Sequence, residues 1–271
     1  MGKFDKILIC TDLDGTLLKN DKTISEENLK AIEYFKREGG LFTFVTGRVP
    51  GIVTDIYNIV KPNAPFGCIN GGGIYDGGKK EYVWTMSADR GIIELVEEVY
   101  ENVPEAGILV HTFEKTYFCK ENELTEWFMK ITNATRYTAH YRDIKEDIAK
   151  VVFCFNDEEE CKKLKNILHN HPLAEKFDFV RSEKRLYEIL PKGSGKGKSI
   201  EKLSEIYGIE NTVAIGDYNN DISMFEKAKI AVAVSNANKE TLAAADIITV
   251  SNEENAIAKV IYDIEKSKIC F

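Results

Sequence analysis

Asp12-Leu13-Asp14-Gly15-Thr16 stands at the end of a short apolar run, Lys6-Ile7-Leu8-Ile9-Cys10-Thr11. The run reads as a buried strand near the start of the chain, and Gly15 lets the backbone turn sharply after it. In open α/β sheets, ligands bind where the carboxyl ends of the strands emerge. Two carboxylates held two residues apart resist joint ionisation unless a cation lies between them, so one is driven toward its protonated form. The stretch thus supplies a nucleophile, a proton donor and a demand for a divalent metal. That set suits phosphoryl transfer through an aspartyl-phosphate. A calcium loop is excluded: counting from Asp12, Leu17 and Thr23 occupy the positions that an EF-hand fills with Gly and Glu.

A second acidic strand end lies some two hundred residues on. Val213-Ala214-Ile215 runs into Gly216-Asp217-Tyr218-Asn219-Asn220-Asp221 and opens a helix through Ala228. An EF-hand fails here too, because Ile222 and Ala228 take its glycine and glutamate positions. Carboxylate and amide oxygens at such a turn match Mg²⁺, which takes one or two protein carboxylates and completes its octahedron with water and substrate phosphate.

Between these turns the pattern is βαβ. Ser25 is placed to cap a helix through Lys36, with Leu29, Ile32 and Phe35 on one face. Gly39-Gly40 ends it, and Leu41–Val45 is a strand leading into Thr46-Gly47-Arg48. Strands joined this way are parallel neighbours, which puts Thr46 on the same sheet edge as Asp12. A hydroxyl, a glycine N–H and an arginine there are natural donors to phosphate oxygens; taken alone, Thr46 reads more readily as a helix cap. A third strand, Phe66–Ile69, ends in Asn70-Gly71-Gly72-Gly73. This is expected to open a β-hairpin flap, turning at Asp76-Gly77-Gly78, whose base at Asn70 and Gly71 lines the site.

Composition narrows the class. The 271 residues are 44% hydrophobic and 30% charged, with a net charge of −8. The acidic balance and the lack of a basic run argue against a nucleic-acid partner. No apolar run approaches the ~18 residues that a membrane span needs. The chain opens on Met1-Gly2-Lys3-Phe4-Asp5 without a secretory pattern, and its six cysteines form no C-x-x-C pair. The expectation is a cytoplasmic protein with reduced thiols, no membrane partner and no zinc site. Oligomeric state is not legible.

From about Ser87 the texture changes to helices and antiparallel-looking strands. Residues 86–186 are therefore read as an inserted α+β domain, a lid, between two stretches of core, 1–85 and 187–271. His111, His140, His169 and His171 fall in or near it without metal-ligand company, so they are expected to be core or surface side chains. Pro191–Ser199 mimics a phosphate-binding P-loop, but Lys192 stands where the first glycine is required. A lysine at a helix N-terminus, which itself attracts phosphate, is the better reading.

The ordered set Asp12-Leu13-Asp14-Gly15-Thr16, Thr46-Gly47-Arg48, Lys196-Gly197 and Gly216-Asp217…Asn220-Asp221 resembles the haloacid dehalogenase (HAD) superfamily, and more closely its Cof-like phosphatases with an inserted α/β cap. The Asn70-Gly71 turn and Glu188-Ile189 look like the same branch, though Gly72 replaces an expected Ala. The resemblance implies a Rossmann-like parallel-sheet core and a cap that reads the substrate. It implies Asp12 as nucleophile and Asp14 as the acid that later activates water. Thr46, Gly47, Lys196 and Asn220 would hold the phosphoryl group, with Arg48, Asn70 and Gly71 nearby. Asp12, Asp217, the backbone carbonyl of Asp14, and Asp221 would surround Mg²⁺. Several lysines crowd residues 192–198; Lys196 matches by its following glycine. The implied activity is Mg²⁺-dependent hydrolysis of a small phosphate monoester. A phosphomutase or phosphotransferase with the same nucleophile, or a non-catalytic metabolite-binding regulator, are the alternatives.

Overall fold

The computed structural model describes residues 2–132 and 134–271. The chain forms two compact units. The first holds the residues up to Gly47, Thr54–Trp84 and Gly195–Phe271; the second holds Arg48–Val53 and Thr85–Ser194.

The first unit begins with β1 (Ile7–Thr11), every residue of which is buried. Helix α1 (Glu26–Arg37) follows, and the Ser25 hydroxyl accepts the N–H of Asn28 at 3.1 Å, as expected of a cap. Glutamates in its first turn and Lys36 and Arg37 in its last complement the helix dipole. Strand β2 (Leu41–Phe44) and helix α2 (Thr54–Val60) come next. Then β3 (Phe66–Cys68), β4 (Gly73–Asp76) and β5 (Glu81–Thr85) form a three-stranded sheet of their own. The third strand is thus not a full member of the parallel sheet; an isolated bridge from Gly67 to Val45 and the contact of Phe66 with Phe44 join it to that sheet. The flap is expected from Asp76-Gly77-Gly78 and is present.

The second unit contributes α3 (Ile92–Asn102), β6 (Gly107–Thr112), β7 (Thr116–Lys120), α4 (Glu123–Thr132), β8 (Arg136–Thr138), β9 (Ile148–Cys154), α5 (Glu158–Asn170), β10 (Phe177–Glu183) and β11 (Leu186–Pro191). The strands make one sheet in the order β10-β11-β9-β6-β7-β8. Its pairs are antiparallel except β7 with β8. One apolar cluster buries Leu95, Val96 and Val99 of α3 and Leu164 and Leu168 of α5 against Val151, Phe153 and Ile189. Another joins Leu124 and Phe128 of α4 to Leu109, Phe118 and Val152. Side chains of this size, fully buried, each contribute roughly 1.5–3 kcal/mol. β8 escapes the sequence pattern because all three of its residues are exposed and carry no alternation to read.

The remaining elements return to the first unit: α6 (Lys196–Tyr207), β12 (Asn211–Gly216), α7 (Ile222–Lys227), β13 (Ile230–Ala233), α8 (Lys239–Ala244), β14 (Ile247–Ile248) and α9 (Ala256–Glu265). The parallel sheet has the order β14-β13-β12-β1-β2, so the α/β core with an additional α+β unit is as the sequence leads one to expect. The expected boundary at residue 187 needs correction. β11 is hydrogen-bonded between β9 and β10, so residues 187–194 belong to the second unit. Residues 48–53 group with that unit as well.

Candidate active site

Register brings the motifs together. Thr11 of β1 pairs with Phe44 of β2 on one side and Ile215 of β12 on the other. Parallel strands in that register end side by side, so Asp12, Thr46 and Asp217 emerge from three adjacent strand ends. The ladder continues one step past the strands: the Asp12 N–H donates to Ile215 O and the Val45 N–H to Thr11 O, each at 2.8 Å. Asp12 is therefore fixed by backbone between the ends of β2 and β12, and it is 7% exposed.

Around Asp12 the side chains lock to one another. Lys196, 1% exposed, donates from Nζ to Asp12 Oδ1 and to Asp221 Oδ1, both at 2.5 Å. Asp221 Oδ2 accepts the N–H groups of Asp217 (2.9 Å) and Tyr218 (3.0 Å). The Thr16 hydroxyl donates to Asp217 Oδ1 at 2.8 Å. Gly15 lies at φ +80°, and a Cβ there would sit 2.5 Å from Asp217 Oδ2; only glycine permits both the turn and the close approach.

The electrostatics follow from burial. Ligand oxygens of Asp12, Asp217 and Asp221 lie within 4.8 Å of one another, and the Lys196 ammonium faces them. Burial raises the Asp12 carboxyl above its ordinary range; the Lys196 charge opposes this, and Asp221 and Asp14 add to it. Burial also raises Asp217, reinforced by Asp12 and Asp221. For Lys196 burial favours the neutral amine, but the charges of Asp12 and Asp221 outweigh it and hold the ammonium. Clustered carboxylates that resist ionisation for lack of positive charge are a fitting donor set for a divalent cation. Asp12 and Asp217 suit it best, since the contacts described above use Oδ1 of each, whereas both Asp221 oxygens already have partners.

Other expected residues fall into place unevenly. Thr46 is 2% exposed, and its N–H donates to Gly67 O at 3.0 Å. Asn220 donates from Nδ2 to Asn70 Oδ1 at 3.1 Å, so Asn70, Gly47 and Gly71 join the same region. The Asp14 carboxylate lies outside the three-carboxylate group and pairs with Lys22 at 2.9 Å, the two side chains 39% and 57% exposed. Arg48 groups with the second unit rather than with this edge.

The neighbouring lysines differ in burial. Lys196 opens α6 inside the site, while Lys192 pairs with Asp178 and Lys198 with Glu201, both toward solvent. The P-loop mimic has no parallel strand before it, since β11 belongs to the antiparallel sheet. Of the histidines, His111 is buried and its Nδ1 is 2.9 Å from the Thr116 hydroxyl; His140 and His169 are exposed. Four further residues, not singled out from the sequence, contact the site. Thr16 holds Asp217, Lys22 holds Asp14, Asn236 donates to Gly15 O at 2.8 Å, and Asn238 donates from its backbone N–H to Asp217 O at 3.0 Å. Thr16 sits inside the first motif and could have been found there; the asparagines carry no spacing signal.

Comparison with known proteins gives the family. The model of the haloacid dehalogenase-like hydrolases matches residues 9–261. YwtE of Bacillus subtilis, a 5-amino-6-(5-phospho-D-ribitylamino)uracil phosphatase, is 33% identical over 92% of this chain and 95% of its own. The pyridoxal phosphate phosphatase YbhA of Escherichia coli is 27% identical over 94% and 97%. A crystal structure of a haloacid dehalogenase-like hydrolase from Bacteroides thetaiotaomicron superposes with a TM-score of 0.82 at 25% identity, covering 96% of this chain and 99% of that one. The chain belongs to the haloacid dehalogenase-like hydrolases, in the Cof-like phosphatase branch that its motifs resemble.

Proposed function

We propose that this enzyme is a Mg²⁺-dependent phosphatase that hydrolyses a small phosphorylated metabolite through an aspartyl-phosphate on Asp12. The observation that carries the reading is the buried Asp12 at the end of β1, held by Lys196 and grouped with Asp217.

An ionised Asp12 oxygen attacks phosphorus, and the bond from phosphorus to the leaving-group oxygen breaks. Asp14 gives that oxygen its proton, releasing an alcohol. Asp14, now a carboxylate, takes a proton from water as the water oxygen attacks the same phosphorus; inorganic phosphate leaves and Asp12 is regenerated. The pair with Lys22 suits Asp14 in this second, proton-accepting state. Thr46, the Gly47 N–H, Lys196 and Asn220 hold the phosphoryl oxygens, and Lys196 restrains the charge on Asp12. Asp12, Asp217 and the Asp14 backbone carbonyl, with Asp221, would hold Mg²⁺, which would supply charge neutralisation to the phosphoryl group.

The second unit is proposed to act as the cap that sets substrate choice. Sugar phosphates and cofactor-type phosphates are the candidate substrates; the relatives named above are phosphatases of 5-amino-6-(5-phospho-D-ribitylamino)uracil and of pyridoxal phosphate. Among the described residues no helix is long and apolar enough to cross a membrane, and a cytoplasmic location is part of the proposal.

The test is phosphate release from a panel holding those two compounds, sugar phosphates, nucleotides and an aryl phosphate, with Mg²⁺ and with a chelator. Mg²⁺-dependent release supports the reading. Transfer of the phosphoryl group to a second hydroxyl without release would replace it with a phosphotransferase.

A further inference from the structure

The turn between β3 and β4 is unusual in its backbone. Ile69, Asn70 and Gly71 are consecutive and all left-handed, at φ +56°, +49° and +87°. For a β-branched residue such as Ile69 this conformation is a true outlier. Strain of this kind persists where the surroundings over-determine it, and it clusters at functional sites.

What the turn achieves is contact with three loops of the active edge at once. The Asn70 N–H donates to Thr46 O at 3.1 Å. Asn70 Oδ1 accepts Asn220 Nδ2 at 3.1 Å. The same amide lies against Gly47: a Cβ on Gly47 would sit 2.9 Å from Oδ1 and 3.0 Å from Nδ2. On the far side, a Cβ on Gly71 would lie 1.7 Å from the carbonyl oxygen of Gly195, the residue before Lys196. Asn70 is fully buried.

We propose that Asn70 is a positioning residue for phosphoryl transfer. Through its backbone N–H and its side-chain oxygen it fixes the separation between Thr46-Gly47 and Asn220, so that their donors match the oxygens of the phosphoryl group in the transition state. This refines the expectation that Asn70 merely lies near the substrate, and it rests on the phosphatase reading above. Asparagine suits the place for two reasons: it tolerates the left-handed conformation better than other non-glycine residues, and its amide reaches Asn220. The left-handed Ile69 is the cost of setting the Asn70 amide at that point.

The test compares full-length wild type with Asn70→Gly, Asn220→Ala and the double variant, all with Mg²⁺. Glycine keeps the left-handed backbone and removes only the amide. With an aryl phosphate, Asn70→Gly is expected to lower kcat about 10–100-fold while KM moves less than about threefold, the pattern of misplaced catalytic groups. The double variant is expected to be no slower than the slower single variant, because Asn70 acts through Asn220. Binding of orthovanadate, which imitates the transferring phosphoryl group, is expected to weaken more than binding of inorganic phosphate. An unchanged kcat, losses that multiply in the double variant, or equal vanadate affinity in wild type and Asn70→Gly would overturn the proposal.

If Asn70→Gly does not fold, Gly47→Ala disturbs the same amide from the opposite side and is expected to give the same kcat-selective loss; a loss confined to KM would count against positioning. The vanadate arm separates this inference from the phosphatase reading. A folded wild type that binds vanadate yet releases no phosphate would sink hydrolysis, while the variant's vanadate affinity would still decide the role of Asn70.

Discussion

Asp221 and Lys196 form a buried pair in which the carboxylate is used on both sides: Oδ1 takes the Lys196 ammonium at 2.5 Å, and Oδ2 takes the N–H groups of Asp217 and Tyr218. Asp221 thus sets the turn that presents Asp217 and, in the same stroke, directs Lys196 toward Asp12.

Asp221→Ala is therefore expected to destabilise strongly. It leaves a buried ammonium with one carboxylate fewer and strips two N–H groups of their acceptor, a loss of about 3–5 kcal/mol by analogy with other broken buried pairs. Denaturant unfolding with a chelator present measures it. A change below about 1 kcal/mol, the range of exposed pairs, would mean that Lys196 is held by Asp12 alone.

The raised carboxyls predict how pH and metal act together. Asp12 and Asp217 take up protons more readily in the folded protein than in the unfolded chain. Between the unfolded value near 3.8 and the raised folded values, the native state binds more protons than the unfolded state. Their contribution to stability is then fully present below the unfolded value and is lost as pH rises through the folded values. Metal-free protein should accordingly lose melting temperature as pH climbs from about 4 toward 8, in so far as these two groups dominate. Added Mg²⁺ should restore it increasingly over the same window, since it binds the ionised carboxylates. Melting curves with Mg²⁺ and with a chelator across that range test this; a Mg²⁺ effect independent of pH would count against these carboxylates as the ligands.

The second unit carries its own buried ion pair. Lys150 of β9 donates to Glu188 of β11 at 2.7 Å, with both side chains at most 5% exposed, and the Ser182 hydroxyl donates to the other Glu188 oxygen. Desolvation offsets much of the attraction in such pairs. Glu188→Leu alone should cost about 3–5 kcal/mol by stranding the ammonium, whereas Lys150→Met with Glu188→Leu should come within about 1–2 kcal/mol of wild type. Unfolding of the three variants decides it. A double variant as damaged as the single one would show that other groups around the pair depend on its charge.

Much of this molecule is legible in the sequence because each motif follows directly on a buried apolar strand. Once β1, β2 and β12 are read as parallel neighbours, Asp12, Thr46 and Asp217 must meet. The choice of Lys196 among its neighbours was legible only through the following glycine; in space it is set apart from them by its burial. What escaped reading depends on contacts between distant segments with no periodic signature. The reach of Asn236 to Gly15 is one such contact. β11 was assigned to the wrong unit for a related reason: an apolar run does not say whether its partners are parallel or antiparallel, and the sheet that claims it is fixed by β9 and β10. The left-handed Ile69 could not have been foreseen, since nothing in an isoleucine's chemistry favours that conformation.

The account stands most directly on the covalent step at Asp12. The measurement is mass analysis of acid-quenched protein after incubation with Mg²⁺ and an aryl phosphate, using Asp14→Asn to slow the attack of water. The account predicts one phosphoryl group on the peptide containing Asp12, a burst of aryl alcohol equal to the enzyme present, and, in Asp12→Asn, neither the phosphoryl group nor more than about a thousandth of wild-type turnover. Turnover by the wild type with no phosphoryl group on that peptide in Asp14→Asn, or substantial turnover by Asp12→Asn, would contradict it.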